Sequence, residues 1–480
     1  MIIKIQKAKH KTWKFYTLGL LLVGVLSVWV WFDPARFLVG QQQKNDALIA
    51  EQMAHHVGVV AYLYGYPVVD MLSQMHNETQ RVSKDQFVYA PVNRYFIYPG
   101  LVTPSSGGNL RSPNADTLYF SAWFDITNGP LIIATPDTAG RYFTIAVTNL
   151  YSEVIHIGRR TTGTKARRFA LITPDWQGEL PEGVEKLVVE TSKGWLLGRM
   201  YVAGEHDLAA ADALVREMQL TALNEPVAMN TSDVLVVPTE LTRLEPYSDL
   251  SYFEILDSAL RSLPPRAGEE ALMAMFRQVG IGGEAPFSAS GLDDATRRGL
   301  ERAIEDGKAL VDASTKRTIS DINGWMISDS IGRYGFNYLH RASVAAGGYG
   351  NLPEESLYPA AVFDQQGQLL SGEHKYRITF APNALPPVNG FWSITAYDLW
   401  HRQLIPSNLG RFNIGDRTPG LNYNDDGSLT LYLQVQPPIQ GTQNWLPLPE
   451  GHFLLVMRLY EPMPEALSFA WQPPSIVKIE

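Results

Sequence analysis

The sequence predicts an α+β protein that is mainly β. It has two antiparallel β units related by an internal duplication, a helical insert between them, and a transmembrane helix near the N-terminus. The first observation behind this prediction is the spacing of apolar residues. It changes along the chain from helical spacing to short alternating runs, then back to helical spacing and again to alternating runs. The second observation is a repeat that links the two alternating regions.

The repeat consists of matching blocks in matching order. Residues 142–150 align without a gap with residues 391–399, and both segments combine aromatic residues with Ile and end on Leu. Further upstream, residues 117–125 align with residues 356–364, with five of nine positions identical. Two blocks in the same order favour duplication of one supersecondary unit over chance similarity.

The N-terminal segment has the pattern of a membrane anchor. Five lysines precede residue 15, and residues 15–32 contain no charge. At ~1.5 Å per residue this run spans ~27 Å, enough for a hydrocarbon core. A cleaved signal peptide is the alternative, but the run stays bulky to its end and shows no small-residue cleavage site. The lysines predict a single pass through the inner (cytoplasmic) membrane. The N-terminus would be cytoplasmic and the main body periplasmic or extracellular, with the lipid bilayer as a partner of residues 15–32.

Composition excludes several classes of function. Beyond residue 40 the chain carries 34 basic and 48 acidic residues, and a surface this acidic repels phosphate backbones, so nucleic acid is not expected as a partner. There is no cysteine, which excludes disulfides, thiolate zinc sites and a cysteine nucleophile. The ten histidines form no recognisable ligand pair, so no metal or other cofactor is predicted.

The elements follow in order from the same spacing. A helix is predicted over residues 41–80, broken or kinked at Pro67. Antiparallel strands are predicted over residues 82–202, including a hairpin formed by 185–190 and 195–201. Further helices are predicted over 207–220, 250–263, 269–279 and 292–319. Alternating runs return from residue 358 and predict a second set of strands.

Candidate catalytic residues follow from the repeat. Asp116 aligns with Glu355, and each stands directly before Thr or Ser, Leu and Tyr. If the two units pack about a pseudo-twofold axis, these acids would face one another across a cleft as a general acid and base. A structural role is the alternative, because an acid before a strand often accepts backbone N–H bonds in a turn.

Candidate ligand-binding residues surround the repeat blocks. They are polar and aromatic: Arg94, Arg111, Asn114, Tyr119, Arg333, Tyr334, Tyr338, Asp398, Asn444 and Trp445. Trp392, Trp400 and Trp445 are candidates for a sugar-stacking platform, because a pyranose presents C–H groups to an aromatic face while Asn and Asp bind its hydroxyls. Core packing is the alternative for Trp392.

The motifs also resemble a known family. Asn114, Tyr119 and Tyr142, together with segments 391–397, 426–428 and 444–449, are similar to motifs of bacterial proteins in which domain of unknown function 1254 precedes domain of unknown function 1214. The resemblance runs from about residue 50 to the end of the chain. It implies two jelly-roll-like β-sandwiches linked by helices, and it implies no agreed activity or catalytic residues.

The predicted organisation combines both arguments. It comprises a cytoplasmic tip and anchor (1–40), a helical stalk (41–80), a first β-sandwich (81–205), a helical insert (206–350) and a second β-sandwich (351–480). The predicted function is binding of a small polar, carbohydrate-like molecule or glycan by a membrane-anchored extracytoplasmic protein. A metal-independent hydrolase that uses Asp116 and Glu355 is one alternative, and a structural or partner-binding envelope module is the other.

Overall fold

The computed structural model describes residues 34–83, 86–87, 89–106, 110, 112–223, 247–263, 266–315, 321–407 and 409–479. The predicted membrane segment 15–32 lies outside these ranges. Within them, no helix has the length and apolar character needed to cross a membrane. The described chain is α+β and mainly β, as predicted.

Seven α-helices form in the described ranges. They are α1 (Pro34–Glu78), α2 (Leu208–Arg216), α3 (Ser251–Ser262), α4 (Glu270–Arg277), α5 (Asp294–Thr315), α6 (Tyr338–Gly347) and α7 (Pro464–Leu467). Short 3-10 turns occupy Glu205–Asp207 and Ala289–Gly291. Except for α7, each lies within or beside a segment for which the sequence predicts helices or the helical insert.

Helix α1 is the centre of the helical layer. It continues through Pro67, so the predicted break does not occur. Its second half is buried against α3, α4 and α5, because apolar residues occupy most of its circumference. Two glycines allow this close packing. A Cβ on Gly58 would lie 2.7 Å from the Cβ of Ala303 in α5, and one on Gly65 would lie 2.7 Å from Leu256 in α3.

The first β unit comprises residues 81–222. Its strands are β1 (Arg81–Ser83), β2 (Gln86–Phe87), β3 (Phe96–Ile97), β4 (Thr117–Asp125), β5 (Leu131–Thr135), β6 (Phe143–Asn149), β7 (Val154–Gly158), β8 (Arg167–Ile172), β9 (Val184–Val188), β10 (Lys193–Tyr201) and β11 (Gln219–Ala222). One sheet has the order β3-β4-β10-β6-β7 and another the order β11-β5-β8-β9. Phe120, Ile145 and Leu171 belong to the apolar core that these two sheets share. Helix α2 and strand β11 belong to this unit, although the sequence assigned them to the helical insert.

The second β unit comprises residues 321–478. Its strands are β12 (Asp321–Ile322), β13 (Trp325–Met326), β14 (Ser356–Leu357), β15 (Ala360–Ala361), β16 (Tyr376–Phe380), β17 (Trp392–Asp398), β18 (Asn413–Gly415), β19 (Leu429–Gln434), β20 (Trp445–Pro447), β21 (Phe453–Tyr460) and β22 (Val477–Lys478). One sheet has the order β12-β13-β15-β21-β17-β18, with β14 also paired to β21, and the other has the order β20-β19-β16-β22. Ile378, Ile394 and Leu431 lie in their shared core.

The two units pair their strands in the same order. The series β4-β10-β6-β7 corresponds to β15-β21-β17-β18, and β11-β5-β8-β9 corresponds to β22-β16-β19-β20. Each unit contains one parallel pair at the corresponding place, β8 with β9 and β19 with β20. The hairpin predicted from 185–190 and 195–201 is wrong, because β9 and β10 lie in different sheets. Alternation of apolar residues identifies a strand without identifying its neighbours.

The units pack against each other through the outer faces of their larger sheets. Tyr119 and Leu197 of the first unit share an apolar cluster with Tyr397 and Val456 of the second. Neighbouring strand ends therefore bring polar side chains of both units into one interface.

Candidate site between the two β units

Asp116 is held by side chains of the other unit. The turn before β4 is fixed by Asn114, whose Oδ1 accepts the backbone N–H groups of Asp116 and Thr117. The Asp116 carboxylate then accepts bonds from Ser393 Oγ at 2.6 Å, Asn413 Nδ2 at 2.8 Å and Arg417 Nη2 at 2.7 Å. Its side chain is only 2% exposed. The Asn114 side chain therefore stabilises the turn, and the Asp116 side chain binds the second unit.

Glu355 has the reciprocal arrangement. Its carboxylate accepts bonds from Tyr142 OH at 2.9 Å and from Arg160 Nε at 2.8 Å, both in the first unit. Burial raises the pKa of Glu355, and the bonds from Arg160 and Tyr142 oppose that rise by stabilising the ionised form. Each predicted acid is thus paired with an arginine of the opposite unit.

The two arginines occupy corresponding positions. Arg160 lies two residues after Gly158, which pairs with Thr144, and Arg417 lies two residues after Gly415, which pairs with Ser393. Both glycines are required by close backbone contact. An added Cβ would lie 2.4 Å from the Phe143 carbonyl oxygen at the first and 2.1 Å from that of Trp392 at the second.

Aromatic rings lie between the two ion pairs. Tyr142, which donates to Glu355, meets the ring of Phe391 at right angles with centroids 5.5 Å apart. Arg417, which binds Asp116, stacks 3.8 Å from the centre of the Phe391 ring. The connection between the two acids runs through these side chains, so the acids do not face each other directly.

A pocket of about 420 Å³ opens beside Asp116, and we call it the Asp116 cleft. The first unit lines it with Leu101, Val102, Thr103, Ala115, Asp116 and 202–204, and the second with Ser393, 409–413, Gly415 and 417–419. Asp116, Asn413 and Arg417 supply polar groups, while Val202 and Phe412 supply apolar ones. Glu355 does not line this cleft.

Three other predicted ligand-binding residues have partners other than the two acids. Arg94 donates to the carbonyl oxygen of its neighbour Asn93, Tyr119 OH accepts the N–H of Asn114, and Arg333 pairs with Glu354 at the surface.

Tyr334 OH contacts Ser152 Oγ, and Tyr338 OH donates to Glu269. Arg111 lies outside the described residues. None of the described arginine and tyrosine candidates donates a hydrogen bond to the carboxylate of Asp116 or Glu355, whose donors are Ser393, Asn413 and Arg417 for the first and Tyr142 and Arg160 for the second.

The C-terminal candidates have structural partners. Asp398 accepts the backbone N–H groups of Trp400 and His401 in its own turn. Asn444 and Trp445 are each 7% exposed, and their side chains bond to backbone atoms of neighbouring strands and loops.

The predicted tryptophan platform is wrong. Trp392 lies in the core of the second unit, Trp445 is 7% exposed, and Trp400 is 73% exposed and does not line the Asp116 cleft. Phe412 is the aromatic residue that lines the cleft. In the described part of the chain, no group of three or more acids and histidines could hold a metal ion.

The fold and the site define a mainly β protein of two units. Each unit provides one buried carboxylate that pairs with an arginine of the other unit. Residues 92–222 match the model of a protein of unknown function, DUF1254, and residues 355–464 match a second one, DUF1214. The chain belongs to the two-domain family in which DUF1254 precedes DUF1214, as the resemblance indicated.

A solved structure supports the fold. The VPA0106 protein from Vibrio parahaemolyticus superposes with a TM-score of 0.66 at 23% identity, covering 89% of this chain and 100% of that one. An uncharacterized protein from Burkholderia cenocepacia gives a TM-score of 0.42 at 12% identity, covering 93% and 99%, and carries no argument. The comparison with curated proteins gave no match.

Proposed function

We propose that the protein binds a small polar, carbohydrate-like ligand in the Asp116 cleft. The observation that carries this proposal is the cleft itself, about 420 Å³ in volume and lined by both units. Binding sites for small molecules are typically concave and about 300–1,000 Å³, with a few polar groups among apolar ones.

The lining suits a ligand rich in hydroxyl groups. An ionised carboxylate accepts about four hydrogen bonds. Asp116 Oδ1 already accepts two, and Oδ2 accepts one from Ser393. Oδ2 therefore retains one acceptor position for a ligand hydroxyl. Phe412 and Val202 provide apolar surface for the C–H groups of the same ligand.

The hydrolase alternative has less support. General acid–base chemistry needs both carboxyl groups at one reacting centre. Glu355 does not line the cleft, and its carboxylate accepts hydrogen bonds from Tyr142 and Arg160 of the first unit. The paired acids therefore suit a structural role at the interface, and Asp116 adds a binding role at its edge.

We place this activity outside the cytoplasm. The support is the uncharged segment 15–32 behind five lysines, which favours a single-pass anchor in the inner membrane. We also propose that the two units are jelly-roll-like and arose by duplication. The support is their common order of strand pairing and the alignment of Asp116 with Glu355.

The test is equilibrium binding of monosaccharides, disaccharides and sugar acids, measured by ligand-observed NMR and calorimetry. Asp116→Asn removes a charged acceptor worth about 1.5–3 kcal/mol, so we expect the Kd to rise roughly 10- to 150-fold. Asp137→Asn is the matched control, because that side chain is 44% exposed and does not line the cleft. Equal affinities of Asp116→Asn and wild type, or no saccharide binding at all, would overturn the proposal.

A further inference from the structure

A second polar cluster lies between the units, formed by Arg199, Arg458, Asn351, Ser356, Tyr358 and Tyr460, and we call it the inter-unit arginine cluster. Its two arginines correspond in register: Arg199 in β10 pairs with Thr144, and Arg458 in β21 pairs with Ser393. Neither these arginines nor the two tyrosines line the Asp116 cleft. The cluster is therefore separate from the Asp116 cleft and from the ligand proposed for it.

The two guanidinium groups have neutral partners. Arg458 is 4% exposed and donates to Thr395 Oγ1, the Ser112 carbonyl oxygen and Tyr397 OH at 2.7–3.1 Å. Arg199 is half-buried and donates through Nη1 to Asn351 Oδ1 at 2.9 Å.

Asp116 and Glu355, the acids named above, already have arginine partners. Asp116 is paired with Arg417, and Glu355 with Arg160. In the described part of the chain, neither Arg199 nor Arg458 lies within 4.0 Å of a carboxylate oxygen. Within those residues, Arg199 and Arg458 are therefore without a direct carboxylate partner.

Unpaired polar atoms surround these charges. Within the described residues, four buried groups of the cluster have no hydrogen-bond partner: Tyr358 OH, Tyr460 OH, Ser356 Oγ and Asn351 Nδ2. Tyr460 and Ser356 are each 1% exposed, and Asn351 is fully buried.

The unpaired groups belong to one neighbourhood. Ser356 pairs directly with Tyr460 across β14 and β21, and Asn351 binds Arg199. Tyr358 directly follows β14, two residues after Ser356.

Every one of the four unpaired groups can donate a hydrogen bond. Buried donors and unbalanced guanidinium charges cost free energy unless a partner of opposite charge is present. Arginine forks match the paired oxygens of carboxylates and phosphates, and tyrosine and serine hydroxyls add single donors. We propose that the inter-unit arginine cluster binds a small oxyanion, a carboxylate or phosphate, beside Arg199 and between the two β units.

The experiment measures binding of sodium phosphate and sodium malonate to the full chain in detergent, by calorimetry and thermal unfolding at constant ionic strength. Sodium chloride and neutral malonamide are the reference solutes. We expect phosphate or malonate to bind and raise the Tm while the reference solutes do not. Binding of phosphate alone assigns the phosphate class, and binding of malonate alone assigns the carboxylate class.

Three variants locate the site. Arg199→Gln and Tyr460→Phe should each weaken the binding of that anion at least about tenfold, because each removes a donor. Tyr460→Phe keeps the packing, so it remains informative if Arg199→Gln fails to fold. Arg333→Gln removes an arginine with a 61% exposed side chain and should bind like wild type. Equal stabilisation by all salts, or an unchanged anion affinity in Tyr460→Phe, would overturn the proposal.

Discussion

The ion pair between Asp116 and Arg417 should couple the stability of the two β units. Arg417→Gln would leave a carboxylate with a 2% exposed side chain bound only by Ser393 and Asn413. Removing one partner of a buried pair costs about 3–5 kcal/mol. We expect about 3 kcal/mol here, since two neutral donors remain on the carboxylate.

A double-mutant cycle isolates the interaction. Asp116→Asn removes the charge that Arg417 compensates, so adding Arg417→Gln to it should cost little more. The expected coupling energy is about 2 kcal/mol. It is measured as free energies of unfolding in urea, followed by tryptophan fluorescence and circular dichroism.

An exposed pair provides the matched control. Arg167 and Glu185 are 2.6 Å apart, but their side chains are 36% and 47% exposed. Solvent screening limits such a pair to about 0–1 kcal/mol. A coupling energy for Asp116 and Arg417 no larger than that of the control pair would refute the argument that burial makes this contact strong.

Three further predictions concern pH, packing and topology. Burial and the charges of nearby arginines lower the pKa of His156 to about 3. As the pH falls below about 6.5, this histidine is therefore protonated in the unfolded chain but stays neutral in the folded one. Stability should therefore drop by about 1.4 kcal/mol per pH unit in that window, and His156→Gln should lose this slope in urea titrations; parallel curves would contradict it. Gly415→Ala should lower the free energy of unfolding by about 1–3 kcal/mol in the same assay, because its Cβ would lie 2.1 Å from a carbonyl oxygen. Gly451→Ala is the control and should leave stability unchanged, since nothing lies within 4 Å of its Cβ. Equal effects of the two substitutions would argue against the close contact at Gly415. An alkaline phosphatase reporter fused after Glu480 should be active and stay with membranes in high salt, since the lysines retain the N-terminus inside; an inactive fusion would disprove the orientation.

The tautomer of His156 explains the sign of the pH effect. Its Nε2 accepts the backbone N–H of Leu352 at 3.3 Å, so that nitrogen carries no proton, and Nδ1 lies 3.0 Å from Thr144 Oγ1. Protonating Nε2 would set two donors against each other in a buried site.

The sequence predicted elements better than it predicted contacts. The four helices predicted between residues 207 and 319 lie close to observed ones, because amphipathic spacing records which face of a helix is buried. Helix α1 was predicted as a stalk, but residues such as Ala61 and Val68 lie at the centre of the helical core. The spacing of apolar residues indicates that one face of a helix is buried, but it does not identify the elements that pack against that face.

The candidate site was predicted only in part, because the sequence identifies positions but not their contacts. The repeat identified Asp116 and Glu355 as corresponding positions, and both lie at the interface. Their partners Arg160 and Arg417 were missed, because each follows a strand in the opposite unit, far away in the chain. The recurring glycine two residues before each arginine is a signal that could have identified them.

A crystal structure of the protein with its tightest-binding saccharide tests the proposed function most directly. We expect ligand density in the Asp116 cleft, with a ligand hydroxyl about 3 Å or less from Asp116 Oδ2 and a C–H face against Phe412. Density elsewhere, for example on exposed Trp400, with the cleft holding only solvent, would contradict it.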